Sequence, residues 1–205
     1  MKSRYFIFVV SLLFTWISFL SGCATIYSKP EFRGRIIDTE TNEPIEEAVA
    51  VVLYKKRPLI GGPAGVSSHV FHAKETLTDS NGEFRIPAYW SVLLFTEDTG
   101  VRFIFYKPGH MTDYGPIKIS HTLIESYFSA GKIGEEMEIE GGTFEQGNYV
   151  KWKGPLGIVE LKRVSAEKAM PPGGIPADYG AKELPLLYEA INEDRKNRGL
   201  KGQVK

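Results

Sequence analysis

Apolar positions in this chain come in short runs, alternating with polar ones, and the runs are cut by Gly, Pro, Asn and Asp. Residues 32–38 (FRGRIID) predict a first strand, with Phe32, Ile36 and Ile37 as its apolar content. Residues 48–54 (AVAVVLY) form a β-branched run of the length expected for a buried strand. Residues 70–78, 84–86, 100–106 (GVRFIFY), 117–119 and 157–164 (GIVELKRV) complete a series of seven. Turn chemistry separates them at 39–44 (TETNEP), 79–82 (DSNG) and 107–110 (KPGH). Residues 55–68, with Pro58, Gly61, Gly62, Pro63 and Gly65, read as one long loop. Short strands without a helical period predict an all-β sandwich.

Two stretches depart from that pattern. Residues 121–150 interrupt the strands: 123–129 suits a helical turn and 135–147 is acidic and glycine-containing. This stretch reads as an irregular insertion on one end of the sandwich. At the far end, 169–174 (AMPPGG) is a linker and 183–198 an amphipathic helix. Leu184, Leu187, Tyr188 and Ile191 lie at helical spacing, Pro185 falls in the first turn, and Gly199 suits the residue that stops a helix. One such helix ordinarily docks on its own domain. The chain thus divides into 1–22, a tether at 23–31, a sandwich at 32–165 and a linker with helix at 166–205.

The amino end is different again. Lys2 and Arg4 precede residues 5–20, which carry no charge, and the run Leu20-Ser21-Gly22-Cys23 follows. Sixteen residues fall short of the roughly 20 that span a bilayer comfortably. A basic segment, a short apolar one and small residues before a cysteine resemble a bacterial lipoprotein signal with its lipobox. The resemblance implies cleavage between Gly22 and Cys23 and acylation of the Cys23 sulfur, with palmitate-type chains holding the protein on a membrane. Ala24 follows, not the Asp that resembles an inner-membrane retention signal, which points to the outer membrane facing the periplasm.

Composition narrows the classes. Lys+Arg and Asp+Glu both number 25. Lys2 and Arg4 are the only charges among residues 1–22, so the remainder is about −2, with no electrostatic footprint for nucleic acid. Cys23 is the only cysteine, so the core has no internal disulfide and holds by apolar burial.

Four segments together carry a second resemblance: Phe32-Arg33-Gly34-Arg35-Ile36-Ile37-Asp38, Asn42-Glu43-Pro44-Ile45, Ala48-Val49-Ala50-Val51 and Thr78-Asp79-Ser80-Asn81-Gly82-Glu83-Phe84. They resemble the carboxypeptidase regulatory-like domains, and Tyr106-Lys107-Pro108-Gly109-His110 is similar to a strand end of that family. The resemblance implies a seven-stranded, transthyretin-like Greek-key sandwich serving as an accessory module without chemistry of its own. Pro44, Asp79, Asn81 and Gly82 are its structural turn residues; Asp79 with Asn81 also suggests calcium, but a hairpin turn uses the same residues.

Candidate chemistry is sparse. His72-Ala73-Lys74-Glu75 with His69 resembles half of a metallocarboxypeptidase zinc site, yet positions 72 and 75 of a strand face opposite sides. The chain ends Gly202-Gln203-Val204-Lys205, unlike the Tyr-Arg-Gly-Ser ending of the hydroxyisourate hydrolases that share the transthyretin fold. No nucleophile elbow, phosphate loop or Cys–His pair is present. Tyr89, Trp90 and Phe95 form an aromatic cluster whose usual home is a core; exposed on one sheet face, it would suit a sugar. The sequence therefore implies a non-enzymatic, membrane-anchored envelope module without a cofactor, its partner an envelope protein or a polysaccharide. A carbohydrate-binding accessory module is the alternative, and a metal-dependent hydrolase a weaker one.

Overall fold

The computed structural model describes residues 24–60, 66–112, 121–142, 149–165 and 171–204, with residues 5, 10 and 11. Gly22, Cys23 and the proposed strand at 117–119 lie outside the described residues. So does most of the apolar segment 5–20.

Strands are the predominant regular element of the described chain. Strand β1 is Ala24–Lys29, β2 Phe32–Asp38, β3 Val49–Pro58, β4 His69–Leu77 and β5 Glu83–Ile86. Then come β6 Tyr89–Leu94, β7 Thr96–Tyr106, β8 His110–Thr112, helix α1 His121–Ser129, β9 Glu136–Gly142 and β10 Tyr149–Pro155. Strand β11 Ile158–Arg163 and helix α2 Pro185–Asn197 complete the order. One sheet has the order β5-β2-β11-β8 and a second β4-β3-β7, while β1-β6 and β9-β10 are two-stranded ribbons. Strands β2 and β11 pair in parallel; the other pairings are antiparallel.

The two larger sheets share a core. Phe32, Ile36, Phe84, Ile86, Val159 and Leu161 from one sheet meet Ala50, Val52, Tyr54, Val101, Phe103 and Phe105 from the other. The Phe32 and Phe103 rings meet edge to face at 5.1 Å. Strand β3 explains its own composition. Its alternate residues Val49, Val51 and Leu53 face away from this core and are covered by Leu184, Leu187, Tyr188 and Ile191 of the α2 segment. A strand covered on both faces is an unbroken apolar run, as AVAVVLY is.

Turns close the sheets as their residues dictate. Asp79 accepts from the amides of Asn81 and Glu83 at 2.9 and 2.8 Å, and Gly82 takes φ of 71°, which its missing Cβ permits. A Cβ on Gly82 would stand 2.5 Å from the Ile36 carbonyl oxygen. Pro44 bridges to Ile37, and buried Thr78 clasps the turn that follows, donating to the Ile45 carbonyl and accepting from the Ala48 amide.

Several boundaries differ from those the pattern predicts. Residues 24–29 are not a free tether but strand β1, paired along its length with β6, a strand the pattern missed because both of its faces are apolar. Strand β3 runs past residue 55 to Pro58, since Lys56, Arg57 and Pro58 pair with Asp98, Glu97 and Thr96 of β7. His110 both closes the 107–110 turn, its amide donating to the Lys107 carbonyl at 3.0 Å, and opens strand β8. Within 121–150, helix α1 is not peripheral: it sends Leu123, Ile124, Tyr127 and Phe128 into the shared core. The Tyr127 hydroxyl donates to the Ile158 carbonyl at 2.6 Å and accepts from the Ile158 amide at 3.0 Å, and burial pushes its pKa up to about 12.

Helix α2 has no side-chain cap of its own; Leu184 stands at its N-cap. Glu75 of β4 supplies one from far off in sequence, accepting from the amides of Leu186 and Leu187 at 2.6 and 3.1 Å. Burial raises the Glu75 pKa, and those two amides oppose the rise. Losing a cap costs about 1 kcal/mol. Glu75→Ala is therefore expected to weaken amide protection through α2 by several fold in hydrogen exchange while β2 and β5 keep theirs; unchanged α2 protection would refute the capping role.

Candidate functional site

The residues singled out for metal binding do not converge. His69 is exposed at the start of β4. In the pairing with β3, Tyr54 stands opposite His72 and Lys55 opposite Val70, so Phe71 is an extra residue in β4. This bulge puts Phe71 and His72 on the core side, where the imidazole stacks on Tyr89 at 4.4 Å and lies near Tyr54 at 5.6 Å. Burial, with help from Lys74, lowers the His72 pKa. Glu75 points the other way, to α2. A sheet separates ring from carboxylate, and one ion has no route to both. Among the described residues no group of three or more His, Cys, Asp or Glu is placed to hold a metal ion.

Other buried polar groups serve the fold. Asp38 accepts from the amides of Glu40 and Thr41 and from Arg163 Nε at 2.9, 3.1 and 2.9 Å. The two amides, ahead of the guanidinium, hold its carboxyl below the usual range. Lys29, on the inner face of β1, reaches Asp98 of β7 and Glu125 of α1, each at 2.7 Å, and its side chain is 5% exposed. Burial raises the Glu125 pKa against the pull of Lys29. Tyr27 and Tyr54 have buried hydroxyls without a hydrogen-bond partner among the described residues, and burial raises both pKa values.

A pocket of about 320 Å³ opens between α2 and the segments flanking it, lined by Tyr106, Pro171, Ile175, Tyr188, Ile191 and Leu200 among others. Its acid, Asp194, is already engaged. It accepts from the Gly109 amide at 3.1 Å, lies 3.3 Å from Arg198 and bonds the Tyr106 side chain. The pocket is an apolar recess whose carboxylate is committed to the fold.

The most unusual surface is the outer face of the β1-β6 ribbon. The register sets Ile26 opposite Val92, Ser28 opposite Trp90 and Ala24 opposite Leu94. Inward, Tyr27, Lys29 and Leu93 are buried. Outward, Ile26 is 76% exposed, Trp90 73%, Leu94 62% and Val92 54%. An antiparallel ribbon with one covered face ordinarily turns polar residues to solvent. Here the solvent face carries no charged residue. The patch continues at the ribbon's end. Phe95 follows Leu94, and its carbonyl accepts from the Leu59 amide at 2.9 Å, bringing exposed Leu59 and Ile60 alongside. Trp90 and Phe95 are thus on the surface, and only Tyr89 packs inward, against the core. Their exposure corrects the expectation of a buried cluster. The signal lay in the sequence: YWSVLL is apolar at both parities, so either face of that strand would be apolar.

Among the described residues no helix is long and apolar enough to cross a membrane. Comparison with protein-family models, curated proteins and solved structures returns no match to this chain.

Proposed function

We propose that this chain is a non-enzymatic lipoprotein of the bacterial cell envelope, held by acylated Cys23 on the periplasmic side of the outer membrane. Its folded part acts as a binding or scaffold module. We further assign that part to the seven-stranded, transthyretin-like Greek-key sandwiches of the carboxypeptidase regulatory-like kind. The four strands of one sheet and three of the other support this assignment. One observation carries the functional reading. Strand β1, Ala24–Lys29, follows the Leu20-Ser21-Gly22-Cys23 run directly, so cleavage before Cys23 would remove the leader and keep these residues and their pairing with β6 in the mature chain. Asp38, Thr78, Asp79 and Asp194 all spend their polar atoms on backbone or on neighbouring side chains, as in a scaffold.

A carbohydrate-binding module is the second reading, favoured by exposed Trp90. Sugar recognition also needs several polar groups to meet the hydroxyls. The neighbours of Trp90 on the outer face are Ser28 and the aliphatic Ile26, Val92 and Leu94, which supply one hydroxyl.

Mass spectrometry of protein from washed envelope membranes tests the leading reading. The expected mature chain starts at Cys23 with a diacylglycerol thioether and an N-acyl group, and Cys23→Ser removes both. An unmodified Cys23 thiol on protein recovered from the cytosol would overturn the proposal.

A further inference from the structure

We infer that the outer face of the β1-β6 ribbon is a second membrane contact, which lays Ile26, Trp90, Val92 and Leu94 on the phospholipid surface that holds the Cys23 acyl chains. This inference rests on the anchor reading and adds to it where and how the folded part sits.

Geometry makes the argument. Consecutive Cα atoms are about 3.8 Å apart, so Ala24 cannot leave the neighbourhood of an acylated Cys23. From Ala24 the chain enters β1 at once and pairs residue by residue with β6, so there is no slack to lift the ribbon away. Leu94, opposite Ala24, is at the anchored end, and Phe95, Leu59 and Ile60 cluster there with it. Trp90 is four residues along β6, about 13 Å from Leu94 at roughly 3.3 Å per residue. The end of the ribbon nearest the anchor thus carries the apolar cluster, with the indole of the same outer face farthest from the anchor. Trp favours the boundary between acyl chains and water, and aliphatic side chains favour the layer beneath.

The chemistry suits lipid better than a sugar or a protein groove. The outward side chains are aliphatic or aromatic apart from Ser28, and the face carries no ion pair or buried polar anchor of the sort that fixes a specific partner. The inner face is clamped by Tyr27, Leu93 and the Lys29 ion pairs, so the ribbon presents this surface as a rigid plane.

The test uses the acylated full-length product, its Cys23 modification verified by mass spectrometry, in vesicles of phosphatidylethanolamine and phosphatidylglycerol. One vesicle set carries brominated acyl chains. The component of emission that disappears in Trp90→Phe belongs to Trp90. That component should shift to the blue and be quenched at least about twofold by brominated lipid, as an interfacial indole is. A Val92→Thr/Leu94→Thr variant keeps strand propensity; once its unfolding transition is shown to match the parent's, it should lose most of that quenching while staying acylated. Three results overturn the inference and leave the anchor standing. They are an acylated protein whose Trp90 ignores brominated lipid, a Trp90 shielded from iodide by self-association without lipid, and a blue shift produced by soluble polysaccharide in place of vesicles. A free Cys23 thiol overturns the anchor reading and this inference with it, and is read before any vesicle is added.

Discussion

Phe128→Ala is expected to destabilise the protein by about 3–5 kcal/mol, the range for emptying a fully buried aromatic site. Phe128 is 1% exposed and stands 4.5 Å from the Phe103 ring, 5.5 Å from Phe105 and 5.7 Å from Phe84. Those three rings come from both large sheets, so the helix that carries Phe128 plugs the space between them. Tyr127 beside it fixes the helix by its two bonds to Ile158, which limits collapse into the cavity. Urea unfolding followed by far-ultraviolet circular dichroism measures the loss. A domain of this size holds only about 5–15 kcal/mol in total, so the midpoint should fall sharply. A cost under about 1 kcal/mol is what surface positions show, and it would mean that α1 is a peripheral insertion after all.

Lys29→Ala should cost about 3 kcal/mol near neutral pH, the low end of the range for breaking a buried ion pair, because Asp98 is partly solvated. The loss should depend on pH in a defined direction. The folded state already raises the Glu125 pKa, burial outweighing Lys29, and removing the ammonium raises it further. A carboxyl with a raised folded pKa contributes its stability fully below its unfolded value, near 4.5, and loses it as pH rises through the folded value. The variant should therefore lie closest to the parent in mild acid and farthest from it at neutral pH. Adding Glu125→Gln should return part of the neutral-pH loss, since one uncompensated charge is gone. Thermal melts from pH 4.5 to 8 read both effects; a deficit that grows toward acid would refute this account of the clamp.

Much of the β-structure was legible where a strand or turn carries one unambiguous signal. AVAVVLY is apolar throughout and is buried on both faces, and the Asp79–Gly82 turn states its own geometry. Other elements were hidden for physical reasons. Strand β1 is bounded by Ala24 and Lys29, and that lysine looks like solvent-facing polarity until Asp98 and Glu125 arrive to neutralise it. The cap of α2 is invisible along the chain because its donor and acceptor lie on different elements. The core role of α1 rests on aromatic contacts to strands before it, which no local period records. The exposed ribbon face was the hardest. A strand apolar at both parities does not say which side is covered, and burial by Tyr27 and Leu93 decides it.

The parallel pairing of β2 with β11 has a kinetic consequence. Strand β2 is made well before β11, so one of its edges waits for a partner that lies far along the chain. Until that partner arrives, the four-stranded sheet lacks its middle, and contacts this distant in sequence form slowly. The four-stranded sheet therefore closes only after the three-stranded sheet has all of its strands.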